Sequence, residues 1–206
     1  MDLSVYLAIA LAVLALMLVG LGISGYVIKR HLSGQGRKAD RLVAFLSRYV
    51  FVFGLLLGLE AFVLWLFPAV HLLFRDAVAV IVGGILELTG AEASVTGPLI
   101  SVGTPSAVFD ITVACLGGVL FWVFLALVLA EPRVPGIQRL KGILIGLGIL
   151  FAFNIFRIVV SVYLEGSTGL PVHDYFYVIN MLVVLLVWAG WARTLRSGPK
   201  TSGALA

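Results

Sequence analysis

Long apolar runs alternate along this chain with short loops that carry most of its charge. Residues 3–28, 42–67, 111–130, 142–164 and 174–191 are each largely apolar. A helix needs roughly 20 such residues to cross a bilayer, so the pattern predicts five membrane spans. A shorter run, 77–88, is interrupted by Glu87. Beyond it, residues 91–109 are rich in Gly, Pro, Ser and Thr. Alternating pieces at 99–102 and 108–113 predict short extended segments there.

The loops orient the spans. Lys29, Arg30, Arg37, Lys38 and Arg41 crowd the first loop, Arg133, Arg139 and Lys141 the loop 131–141, and Arg193, Arg196 and Lys200 the tail 192–206. Cytoplasmic loops carry such an excess of basic residues. The amino terminus is therefore expected outside and the carboxyl terminus in the cytoplasm of a cell-membrane protein. The second span then ends outside, and the span ending at Ala130 begins outside. By parity, 77–88 is expected to be an interfacial or re-entrant helix on the outer side, not a crossing. The predicted fold is an all-α polytopic helical bundle, one integral membrane domain over 1–206, with a small outer extended segment.

Composition agrees: of 206 residues, 62% are hydrophobic and 12% charged, with mean hydropathy +1.16. A soluble domain carries about 25% charged residues. The net charge of +4 sits in topology-setting loops, so it does not imply nucleic acid. A single cysteine rules out an internal disulfide. The first run has no basic residue before it and exceeds the usual signal core, which predicts a retained span. Gly20, Gly22 and Gly25 spell G-x-G-x-x-G, but inside a span, where the dinucleotide reading does not apply. Gly54/Gly58 and Gly142/Gly146 suit close helix packing. Tyr175, Tyr177, Trp188 and Trp191 suit aromatic belts. His31, His71 and His173 fall in different loops, so neither a metal nor a cofactor is expected.

Three residues capable of chemistry fall at one depth. Cys115 lies four residues into its span, about 6 Å from the outer end at the helical rise. Arg157 lies seven residues below Leu164, about 10 Å deep by the same rise. His173 sits in the turn above. A cysteine nucleophile acts as thiolate, which a neighbouring cation or a helix amino terminus favours. Arg157 suits stabilisation of that thiolate or of an oxyanion, His173 suits acid/base work, and Asn154 lies one turn from Arg157 on the same face. The plainer readings stand beside these. Cys115 alone is a packing residue, Arg157 an ion-pair partner of Glu60, and His173 a solvated loop residue. Asp174 either caps the last helix or orients the imidazole.

Cys115 followed by Gly117 and Gly118, the Asn154-x-x-Arg157-Ile158 run, and His173-Asp174 resemble the three signature blocks of the exosortase/archaeosortase family. The lead-in 95–113 is also similar, and the resemblance covers 95–184, nearly half the chain. Leu116 stands where the family often has a small hydroxyl residue, and the spans are fewer than in many exosortases. The resemblance implies a sortase-like integral membrane cysteine transpeptidase, acting on the outer side. Its partners would be exported proteins with a carboxy-terminal sorting signal: a short motif, a transmembrane helix and a basic cluster. By the same carry-over Cys115 is the nucleophile, Arg157 the stabiliser and His173 the acid/base, with an acyl group passed to a lipid or other amine acceptor. Two further classes compete. One is a non-catalytic substrate-binding subunit of a membrane transporter, with Arg157 and Glu60 holding a polar ligand. The other is a structural bundle that scaffolds export.

Overall fold

The computed structural model describes residues 38–103, 107–131, 134–168 and 175–197, with Val19, Gly22 and Tyr26 as isolated positions. The predicted span 3–28 otherwise lies outside the described residues. In order come α1 (Lys38–Leu66), α2 (Pro68–Leu88), β1 (Ala93–Thr96), β2 (Leu99–Val102), β3 (Ala107–Asp110), a 3-10 turn (Val113–Leu116), α3 (Gly118–Ala130), α4 (Gly136–Thr168) and α5 (Tyr175–Ser197). Among the described residues, four helical stretches are long and apolar enough to cross a membrane: Leu42–Leu66, Ala69–Leu88, Gly136–Thr168 and Val178–Leu195. Leu55, Leu59, Phe62 and Leu66 form an exposed apolar stripe at helical spacing on α1. Such a face suits lipid rather than water.

α1 and α2 meet at one residue. Phe67 precedes a proline, which disfavours helical backbone, and it adopts φ −130° and ψ 66°. Pro68 then opens α2 at its first turn, where its missing N–H costs nothing. Residues 68–76, which by sequence read as an outer connection between the 42–67 span and the 77–88 run, are helical instead. Arg75 and Asp76, the charges that read as loop, are accommodated by the sheet. Arg75 pairs with Asp110 at 2.6 Å and donates from Nε to the Ile111 carbonyl at 2.5 Å, and Asp76 stands beside the Gly97 turn. α2 therefore runs 21 residues, long enough by itself to cross, where a short helix over 77–88 was expected.

The strands form an antiparallel meander in the order β1-β2-β3. Gly97, at φ +57°, turns β1 into β2. Ile100 and Val102 face one way along β2 and are buried on Val78, Val82 and Leu86 of α2. Gly83 lets Val95 of β1 close onto the helix, since a Cβ there would overlap the valine. The expected extended piece 99–102 is β2, and 108–113 shortens to β3 because the Ile111 N–H turns back to the Pro98 carbonyl at 2.9 Å.

The expected span 111–130 is also corrected. Its α-helix has only 13 residues, about 20 Å at the helical rise. Gly117 in the left-handed region, at φ +73°, separates it from the 3-10 turn. α4 and α5 instead extend beyond the expected 142–164 and 174–191.

Two apolar clusters build the interior. One joins α2, the sheet, Cys115 and Ile155, Ile158 and Val162 of α4. The other joins Phe124 and Val128 of α3, Leu150 of α4 and Val184 of α5. Gly146 admits the Phe124 ring and Gly142 the Trp191 indole. Trp188 tilts on Phe45 with ring centres 5.9 Å apart. Both tryptophans of the expected inner belt are thus half-buried in the bundle.

Candidate active site

α4 crosses from one cluster to the other, and Asn154 and Arg157 mark the seam. They lie three residues apart on one helical face, and each is only 1% exposed. Both aim at the turn that bears Cys115. Asn154 Nδ2 donates to the Cys115 carbonyl at 2.9 Å, and Arg157 Nη2 donates to the same oxygen at 3.3 Å. Two residues some 40 positions downstream thereby clamp one peptide unit. The clamp is directed at the backbone of Cys115 and not at its sulfur.

The cysteine itself is 8% exposed. Its N–H closes the 3-10 turn on the Thr112 carbonyl at 3.0 Å, and its Sγ stands 3.4 Å from Thr112 Oγ1. This corrects the expectation that Cys115 lies one turn inside an α-helix. It precedes the helix, two residues before Gly117, whose carbonyl accepts the first bond of α3 from Leu120 at 2.9 Å. Gly117 is required twice over: its φ is positive, and a Cβ would stand 3.0 Å from Asn154 Oδ1.

The predicted site is therefore brought together in part. Cys115, Asn154 and Arg157 meet; His173 and Asp174 lie outside the described residues. Glu60 stands apart from Arg157 and makes no ion pair among the described residues, which corrects the expected Glu60–Arg157 pair. It faces α3: its Oε1 lies 2.6 Å from where a Cβ on Gly118 would stand, and Trp122 Nε1 lies 3.9 Å from the same point.

Sequence reasoning passed over Thr112 beside the sulfur, and it passed over Ser161 and Asn180. Ser161 continues the polar face of α4 one turn beyond Arg157, buried with its hydroxyl unpartnered among the described residues. Asn180 is 1% exposed, and neither amide atom has a partner among the described residues. Asn180 lies one turn before Val184 and Asn154 one turn after Leu150, and Val184 and Leu150 share a cluster. A polar residue inside an apolar span was the available signal for Asn180. Among the described residues, no group of three or more His, Cys, Asp or Glu stands together as metal ligands would.

Chemically, the arrangement offers a buried thiol in the turn ahead of α3, a buried guanidinium on the same peptide unit's carbonyl, and spare amide capacity beside it. Compared with protein-family models, curated proteins and solved structures, the chain matches none.

Proposed function

We propose that this chain is a membrane-embedded cysteine transpeptidase or protease that removes the carboxy-terminal sorting tail of exported proteins. The observation that carries the reading is the shared hold of Asn154 and Arg157 on the Cys115 carbonyl. It joins the chain's only cysteine to an arginine within an apolar helix, a residue that is costly unless it has a task.

In this mechanism the Cys115 thiolate attacks the scissile carbonyl carbon, and the carbonyl oxygen becomes an oxyanion. Arg157 stabilises that negative charge. Collapse breaks the C–N bond, and the departing amine takes a proton from His173 acting as acid. The acyl group stays on sulfur as a thioester. An acceptor amine, from a lipid or other donor, then attacks the thioester. The new amide forms, the amine proton returns to His173, and the thiolate leaves.

The topology follows from solvation. An open three-stranded sheet has unpaired edge groups that hydrocarbon cannot satisfy, so in this reading the sheet lies outside the hydrocarbon with the Cys115 turn beneath it, and α1, α4 and α5 are membrane spans.

The test is capture of the thioester. Full-length protein from cells that export a tail-bearing substrate should carry a hydroxylamine-labile adduct on Cys115, absent in Cys115→Ala. Substrate turnover without any adduct would sink the covalent route. A second reading, the binding subunit of a transporter, draws on Glu60, which stands in an apolar pocket. Cys115→Ser separates the two readings, because binding survives it and processing does not.

A further inference from the structure

A cavity of about 360 Å³ lies between α1, α2, the cysteine turn and the start of α3. That is within the range of small-ligand pockets, about 300–1,000 Å³. Its walls are almost wholly apolar, with Phe74, Phe121, Trp122 and Phe151 among them, and it holds one carboxylate, Glu60. Val113, Leu116 and Gly118 give it a wall in common with the cysteine turn, but Cys115 itself does not line it.

We infer that this pocket binds the cationic nitrogen head of a membrane amphiphile, with Glu60 as its counter-charge. A carboxylate within an apolar span is costly without a partner, and Glu60 has no cation among the described residues. Gly118 keeps the space into which the carboxylate projects. Aromatic faces beside a carboxylate are the surroundings that an alkylated ammonium prefers. Trp122 Nε1 is directed at the Glu60 carboxylate, and a further polar atom of the wall, His71 Nδ1, is buried without a hydrogen-bond partner among the described residues, so it is open to the remaining polar atoms of such a head.

The mouth identifies the source of the ligand. Leu59 is 52% exposed, Val63 36%, Val70 41% and Phe74 60%. These apolar side chains belong to the surface that suits lipid, and a ligand entering past them comes from the bilayer rather than from water. The site is a binding site in its own right. It stands on this geometry and does not depend on the transpeptidase reading.

The test uses the purified full-length chain in a neutral maltoside detergent, titrated with octylammonium and, as the uncharged control, octanol. Binding by calorimetry should be saturable for octylammonium, at least tenfold weaker in Glu60→Gln, and not saturable for octanol. Val63→Phe, which narrows the mouth at a lipid-facing position and leaves the carboxylate in place, should weaken binding as well. Equal affinity in wild type and Glu60→Gln, or equal binding of octanol, overturns the inference. Saturation by a lysine-bearing apolar peptide but not by octylammonium overturns the assignment to a membrane amphiphile.

Discussion

Replacing Asn154 with alanine should make the cysteine more reactive toward alkylating reagents, although the substitution touches neither the sulfur nor the surface. Asn154 supplies one of two side-chain donors to the Cys115 carbonyl, at 2.9 Å, and Arg157 supplies the other at 3.3 Å. A neutral hydrogen bond contributes about 0.5–1.5 kcal/mol net, and side-chain bonds between membrane helices average about 0.6 kcal/mol. Loss of roughly 1 kcal/mol of hold on the turn raises its open population about fivefold. Arg157→Ala removes a charged donor, worth about 1.5–3 kcal/mol, and should raise that population by more than tenfold. The assay is direct because Cys115 is the chain's only cysteine and is buried. Maleimide labelling of the protein in detergent, followed by intact mass, reports opening of this one turn. The double variant leaves the carbonyl without either donor and should exceed the product of the single effects. Labelling rates within twofold of wild type in both single variants would refute the idea that these side chains hold the turn.

Gly117→Ala should destabilise the protein by about 1–3 kcal/mol, read as a lower midpoint of thermal unfolding in detergent, because it forces a left-handed backbone and crowds Asn154. Gly146→Val should cost at least about 2 kcal/mol by the same measurement, since its side chain enters the space of the Phe124 ring. Arg75→Ala should be more damaging than Asp110→Ala. The half-exposed aspartate contributes only a surface-type pair of about 0.2–1 kcal/mol, whereas Arg75 also donates to the Ile111 carbonyl. Unfolding midpoints at low and high salt check this, and only the pair's share should fall with salt.

The long helices were legible because α1, α4 and α5 coincide with apolar runs. Their ends were less so, since helical backbone continues past the apolar run into polar flanks such as Gln138 and Arg139. The start of α2 was hidden because Arg75 reads as a loop charge until Asp110, 35 residues later, is folded against it. The break in the cysteine span was written in the Gly117-Gly118 pair, but the left-handed turn that directs the Cys115 carbonyl toward α4 was not. Spacing alone set Asn154 and Arg157 on one face. That they grip a carbonyl and not the sulfur follows from that turn. The depth of Glu60 was readable from its span, whereas its direction depends on how α1 packs on α3.

The central claim is that Cys115 is a nucleophile supported by Arg157 and His173. The most direct test is mass spectrometry of the carboxyl terminus of a tail-bearing exported protein, co-expressed with wild type, Cys115→Ala, Arg157→Ala or His173→Ala. The account predicts a shortened or transferred product with wild type and an intact tail with every variant, each variant still being present in the membrane. Tail removal that continues undiminished with Cys115→Ala would contradict it.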